Sequence, residues 1–207
     1  MRRFLVLAHR VPVSGEFTLN DLAGGAGRMD EIARAVSTAF TLSNDLRRDT
    51  EMTVLFVAEP PPAARRIDLT GSRLRYLNPD ERSTAALLKN ALVRSRTLDH
   101  PVEASPGLRV GPAEPAAVLA EFLASPGPVW LTEEGRPLAE GPPIGPELAA
   151  VLSDPYDPTP EEVLWLTESG ISKRSVGPRS LRTSQVIDAV HAELDRREAP
   201  APPSAAP

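Results

Sequence analysis

Residues 71–92 read GSRLRYLNPDERSTAALLKNAL, and the rest of the chain is best read outward from them. The stretch has the form of a strand end, a tight turn and a helix. Asn78 is a favourable N-cap, Pro79 suits the first helical turn, and Glu81 falls where a capping box places its acid. Asp80 and Glu81 also lie where the helix dipole favours negative charge. Local structure therefore accounts for residues 78 to 81. It does not account for Arg73, Arg75 and Arg82, since basic side chains favour helix C-termini. Arginines beside an acid at a helix start make a corner suited to phosphate and base handling, because guanidinium groups bind oxyanions through paired donors.

Toward the N-terminus, Phe4 to Ala8 is an unbroken apolar run of strand length, which reads as a buried first strand. Residues 10 to 27 are irregular. The GGAG at 24–27 lacks the GxGxxG spacing and acidic partner of a dinucleotide site, so its glycines are read as freeing a turn. From Arg28 to Ser43 the residues Met29, Ile32, Ala33, Val36, Ala39 and Phe40 form a helical stripe. Met52 to Ala58 reads as a second strand, PPPAA at 60–64 as a rigid connector, and Ile67 to Thr70 as a short strand.

Toward the C-terminus, Arg94 to Gly107 reads as a polar linker and Pro115 to Ala124 as a helix. Pro128 to Thr132 reads as a strand, EEGRP at 133–137 as a turn, and Leu148 to Leu152 as a strand ended by Ser153-Asp154-Pro155. Thr159 caps a helix that has Pro160 at its first position, Glu161 and Glu162 behind it, and Gly170 as its stop. Ile171 to Val176 reads as a strand, Gly177-Pro178 as a turn, and Leu181 to Arg197 as the last helix, on Val186, Ala189, Val190 and Leu194. The tail APAPPSAAP, 199–207, reads as disordered. Strands alternating with helices predict an α/β fold with a mostly parallel sheet. Ligands of such sheets sit at the carboxyl ends of strands. The ends singled out are Thr132-Glu133, Ser153-Asp154 and Val176-Gly177-Pro178.

The 207 residues suffice for one domain, and 41% hydrophobic with 25% charged residues is a globular composition. The absence of cysteine excludes disulfides, thiolate metal sites and a cysteine nucleophile, and fits a reducing compartment. Three histidines, His9, His100 and His191, argue against a histidine-rich metal site. His9 and His191 read as surface or packing residues, and Trp130 and Trp165 as core or interface aromatics. The pairs Glu133-Glu134 and Glu161-Glu162 read as a turn and a helix start, not as a catalytic dyad. No apolar run reaches membrane-spanning length, and FLVLA is too short for a signal segment, so the expected location is the cytoplasm. The net charge of −5 is unevenly spread. Residues 1–100 carry 15 Lys+Arg against 12 Asp+Glu, and 101–207 carry 8 against 16, so the first half is the one suited to a phosphate backbone.

Five segments together resemble the archaeal-type tRNA pseudouridine N1-methyltransferases of the SPOUT class: FLVLAHRVP, LAGGAGRMDEIARAVSTAFTLSNDLR, LRYLNPDERSTAALLKNAL, SPGLRV, and VGPRSL with VHAELDRR. The resemblance runs to about Arg197, and LNPDERSTAAL is its most specific part. It implies one α/β domain over 1–198, with an open, mostly parallel sheet, helices on both faces and a C-terminal trefoil knot. It implies a homodimer that binds S-adenosylmethionine in the knot half, 108–197, and methylates N1 of a T-loop pseudouridine of tRNA at position fifty-four, with no metal and no membrane. The implied cofactor residues are Leu131, Thr132, Ser153, Asp154, Val176, Gly177, Pro178, Arg179, Ser180, Leu181 and Val186. The implied target-base corner is Arg28, Asp80 and Arg82, with Arg10, Arg73 and Arg75 as RNA contacts.

The chain departs from the family where Pro155 follows Asp154 in place of a histidine, and where Val186 replaces a cysteine. Two alternatives therefore stand beside methylation of that tRNA. One is a SPOUT-fold RNA-binding relative without catalysis. The other is a methyltransferase for another pseudouridine or a small nucleoside.

Overall fold

β1, Arg2–Ala8, is the central strand of an eight-stranded sheet in the computed structural model, which describes residues 1–57, 64–140 and 147–198. Phe4, Val6 and Ala8 point into one apolar core, and Leu5 and Leu7 into another. This is why the strand is an unbroken apolar run: both of its faces are buried. β1 lies parallel to β2, Thr50–Phe56, on one side and to β7, Leu148–Ser153, on the other. Beyond β7 come β6, Pro128–Pro137, and β8, Ser172–Ser175, both parallel. Beyond β2 the sheet turns antiparallel through β3, Arg65–Thr70, β5, Leu108–Pro112, and β4, Val102–Ser105. The order is β4-β5-β3-β2-β1-β7-β6-β8.

Helices cover both faces. Residues of α1, Met29–Phe40, α2, Glu81–Ser95, and α5, Thr183–Glu198, enter the core with Phe4 and Val6. Residues of α3, Pro115–Leu123, and α4, Pro160–Glu168, enter the core with Leu5 and Leu7. The expected α/β architecture is present, with a parallel half and an antiparallel half.

Several local expectations are corrected. Residues 94–107 are not a linker. α2 runs on to Ser95, and β4 and β5 form a hairpin around Gly107. Its strands are short and polar, so no apolar run marked them. EEGRP is not a simple turn either. β6 continues through it to Pro137 and pairs with β8 again at Arg136 after a register shift. The N-cap of α2 is Asp80, not Asn78: its carboxylate accepts from Ser83 N at 2.8 Å. The carbonyls of Asn78 and Pro79 are tied by Thr84 Oγ1 and Ser37 Oγ, both at 3.0 Å, which holds those residues ahead of the helix. Glu81 pairs with Arg34 instead of closing a capping box. The capping box expected at α4 is present, with Thr159 and Glu162 bonded reciprocally, and Gly170 ends that helix at a φ of 69°. The 199–207 tail and most of the PPPAA connector lie outside the described residues.

His191 is a packing residue, 3% exposed, against the ring of Phe4. Arg2 Nη1 donates to its Nδ1 at 3.1 Å, which fixes the proton on Nε2, and Nε2 donates to Ala39 O at 3.1 Å. The neutral ring is therefore the one that fits. Burial, with Arg47 and Arg2 nearby, lowers its pKa to about 4. The unfolded chain thus binds a proton between about pH 6.5 and pH 4 that the folded chain refuses, so acidification through that window destabilises the fold. By urea unfolding, the wild type should lose about 3 kcal/mol more between pH 7 and pH 4 than His191→Gln does. Parallel curves for the two proteins would remove His191 as the cause.

Candidate cofactor and active site

The carboxyl ends of β7 and β8, with the middle of β6 where its register on β8 shifts, open onto one cavity of about 430 Å³, within the range usual for small-ligand sites, about 300–1,000 Å³. Leu131, Thr132 and Glu133 line it from β6, Ser153 and Asp154 from β7, and Val176 and Gly177 from the end of β8. Arg179, Ser180, Leu181 and Val186 close it from the segment leading into α5 and from α5 itself. The three segments singled out in the sequence therefore meet, but Thr132-Glu133 lies inside β6 and not at its end. Pro178 does not line the cavity. The start of α5 is tied to the end of β7 beside it: Thr183 Oγ1 donates to Ser153 O at 2.7 Å, and Ser153 Oγ donates to Tyr156 O at 2.5 Å in the segment that follows.

The fourth wall is the N-terminus of α1, contributed by Arg28 and Glu31. The chain enters it through two left-handed residues, Gly27 at φ 61° and Arg28 at φ 71°. A Cβ on Gly27 would lie 1.9 Å from Arg10 O, so only glycine permits this approach. Arg28 has a Cβ and adopts the left-handed form at a cost. Ion pairs hold it there. Its guanidinium donates to both carboxylate oxygens of Asp30, at 3.0 and 3.1 Å, and to Glu31 Oε1 at 2.7 Å. Burial opposes charge on Asp30, but bonds from Arg28 and Arg34 outweigh it and hold its pKa below the usual carboxylate range. Arg34 extends the network from Asp30 and Glu31 to Glu81 at the start of α2.

Asp80 and Arg82 do not line the cavity. They sit on the corner reached through this network, on the surface. The Asp80 carboxylate caps α2, and its bonds from Ser83, side chain first and then backbone, lower its pKa. Arg82 donates to Leu19 O at 3.0 Å and to Asn20 Oδ1 at 3.1 Å. Arg73 pairs with Glu103 at 2.9 Å and, with Arg75 and Arg48, lines a separate open groove. The arginines of the 71–92 stretch thus serve different places. Arg10 lies over the ring of Tyr156, 3.8 Å from its centroid.

The sequence reading left out several lining residues, among them Tyr156, Asp157, Arg182 and Thr183, and it missed the roles of two further residues. Glu31 is buried, lines the cavity, and keeps one oxygen, Oε2, without a partner among the described residues. His9 donates from Nδ1 to Asp154 Oδ1 and from Nε2 to Glu162 Oε2, both at 2.9 Å, so it is neither a surface nor a mere packing residue. His9 directly follows the central apolar strand, and the rule that placed the other three strand ends at the ligand applied to it too. Among the described residues no group of side chains has metal-site geometry, and no helix is long and apolar enough to cross a membrane.

The cavity has what an adenosyl cofactor requires. Leu131, Leu152, Val176, Leu181 and Val186 supply apolar walls, and Arg28, Glu31, Thr132, Ser153 and Ser180 are among its polar lining residues. An open α/β sheet with such a cavity at its parallel strand ends defines a nucleotide- or cofactor-binding α/β protein. The family described as "Putative SAM-dependent RNA methyltransferase" matches residues 1–199, and the chain belongs to it. A tRNA (pseudouridine(54)-N(1))-methyltransferase of Methanocella arvoryzae is 41% identical over 197 residues, covering 95% of this chain and 100% of that one. The enzyme of the same name from Haloferax volcanii is 38% identical over 198 residues, covering 94% and 96%. The solved structure of Archaeoglobus fulgidus Nep1 bound to S-adenosylhomocysteine shares the fold, with a TM-score of 0.64 at 13% identity, covering 95% of this chain and 98% of that one.

Arg28→Gly removes the backbone strain and one of the two arginines that pair with Asp30 and Glu31, leaving Arg34. Urea unfolding should show a net loss of about 1 kcal/mol, since the weakened pairing of two buried carboxylates outweighs left-handed strain. An unchanged or raised midpoint would mean that strain dominates at this position.

Proposed function

We propose that the chain transfers a methyl group from S-adenosylmethionine to N1 of a pseudouridine in the T-loop of tRNA, at the position 54 named for its relatives. The observation that carries the reading is the meeting of the parallel strands β6, β7 and β8 with Arg28 and Glu31 around one cavity. The reading includes a homodimer, a knotted C-terminal half, and a single unit over 1–198. In it 108–197 holds the cofactor and 1–100 faces RNA through Arg10, Arg73 and Arg75. The Thr183 to Ser153 bond, which lays the last segment across the end of β7, supports the knotted arrangement.

When bound, S-adenosylmethionine supplies an electrophilic methyl group. Residues of β6, β7 and β8 at the cavity hold it through backbone groups, and Leu131, Val176 and Val186 supply apolar contact. Such a site tolerates Val186 in place of a cysteine, because side-chain polarity is not its main means of holding. N1 of pseudouridine carries a proton that must leave as the nitrogen gains its methyl. The Asp80 carboxylate, ionised across the neutral range, accepts a hydrogen bond from that N–H, takes the proton as the methyl is transferred and releases it to the solvent to which it is exposed. Arg28 and Arg82 favour the negative charge that develops on the ring. Registration of the two partners supplies much of the rate, and the target base leaves its stack to reach them.

The test is methyl incorporation into tRNA bearing one T-loop pseudouridine, compared with the same tRNA bearing uridine. Label should appear only in the first. Labelling of both or neither contradicts the reading, and labelling of free pseudouridine as fast as of tRNA would favour a nucleoside substrate. Asparagine caps helices as well as aspartate does. Asp80→Asn should therefore fold normally, keep cofactor affinity within about twofold, and lose at least about 100-fold in turnover. Unchanged turnover would remove Asp80 from the mechanism.

A further inference from the structure

The segment from Ser153 to Pro158 forms a wall of the cavity, and its path from β7 into the first turn of α4 rests on two carboxylates. Asp154 Oδ2 accepts from His9 N at 2.8 Å, and its Oδ1 accepts from His9 Nδ1 at 2.9 Å and from Tyr156 N at 3.0 Å. Glu162 Oε2 accepts from His9 Nε2 at 2.9 Å and from Thr159 N at 2.7 Å. Both ring nitrogens of His9 thus face carboxylate oxygens, which have no proton to give. Both must donate, so the ring that fits is the imidazolium. The adjacent Arg10 covers the face of Tyr156, which lines the cavity. The side chain of Asp154 is fully engaged in this arrangement. It shapes the wall and is not free to bind a ligand directly.

We infer that His9 and Arg10, at the carboxyl end of β1, clamp the 153–162 segment into the form of a cofactor-cavity wall, with His9 as a positioning residue that works only as a doubly donating cation. The inference rests on the reading of the cavity as a cofactor site. Its consequence is an alkaline limit on cofactor affinity. Burial alone lowers the pKa of His9, but the hydrogen bonds from Asp154 and then Glu162 outweigh it and raise the pKa to about 9. Beside it stand Arg10 of the same strand end and Tyr156 of the wall, whose ring Arg10 covers, and the 153–162 segment also carries Asp157 and Glu161. Loss of the His9 proton leaves one carboxylate facing a bare ring nitrogen. The Ser153 and Thr183 bonds pass the slack to the loop that leads into α5.

The deciding measurement uses the protein without cofactor: amide exchange at Tyr156 and Thr159, expressed as protection factors, from pH 7 to pH 10. In the wild type, protection should fall about tenfold as pH rises through 9. His9→Gln, which keeps size but has no charge, should show the low value already at pH 7 and no step. His9→Arg, a permanent cation, should remove the step while keeping more protection at pH 10 than the wild type. Wild-type protection that stays flat to pH 10 overturns the clamp, and this arm stands even if a variant fails to fold. Equal protection in His9→Gln and wild type at pH 7 overturns it as well. Titration with S-adenosylhomocysteine adds the functional side: affinity of His9→Gln should drop about tenfold at pH 7, with kcat at saturating cofactor changed less than twofold. A kcat loss without an affinity loss overturns the positioning role. Failure of the wild type to bind S-adenosylhomocysteine at pH 7 would overturn the cofactor reading of the cavity, whereas the exchange data decide the clamp without any cofactor.

Discussion

The double pairing of β1 is the constraint on which the rest of the molecule depends. Val6 pairs with Val54 of β2 on one side and with Leu152 of β7 on the other. A strand in that position has no edge and no solvent face, so its side chains alternate between two cores and its register is fixed. Everything functional hangs from its far end. β7 is registered against it residue by residue, β6 against β7, and β8 against β6, so three loops are delivered to one place. Binding at the end of a parallel sheet follows from this arrangement: only there do successive strands emerge side by side with their loops free.

Charge organises the same end of the sheet in a second way. The cavity is bordered by two small networks of buried carboxylates and cations, one around Asp30, Glu31, Arg28 and Arg34, the other around Asp154, Glu162 and His9. Burial penalises each charge, and each is tolerated because its partner is held within hydrogen-bond reach. Such networks fix loops where apolar packing cannot, since a cavity wall has little apolar surface to bury. The opposite state of His191 makes the same point. It accepts from an arginine rather than facing carboxylates, and it stays neutral.

Much of this was legible in the chain. The apolar runs of β1 and β7, the stripe of α1 and the Thr159–Glu162 cap of α4 announced themselves through periodicity and capping chemistry. So did the cavity-lining segments at Ser153 and Val176, and that at Thr132 although its strand runs on to Pro137, once parallel topology was accepted. The hairpin of β4 and β5 was hidden because VEAS and LRVGP are short and mixed in polarity. The start of α2 was misplaced by two residues because Asn78 and Asp80 are both good caps, and contacts from α1 and from within α2 chose between them. His9 could have been placed at the ligand end of β1, but its role as a clamp could not, since its partners come to it only by the fold: 145 residues separate it from Asp154. Arg28 and Arg34, which pair with Glu31, stand three residues to either side of it, and what the fold alone decides is that it lines the cavity.

The claim at the centre of this account is that the cavity lined by β6, β7 and β8 is a working S-adenosylmethionine site despite Pro155 and Val186. Calorimetric titration of the wild-type protein with S-adenosylmethionine at neutral pH tests it most directly, run beside a Val176→Trp variant that fills the cavity. The account predicts saturable binding by the wild type and its loss in the filled variant. Absence of binding by the wild type, or equal binding by both proteins, would contradict it.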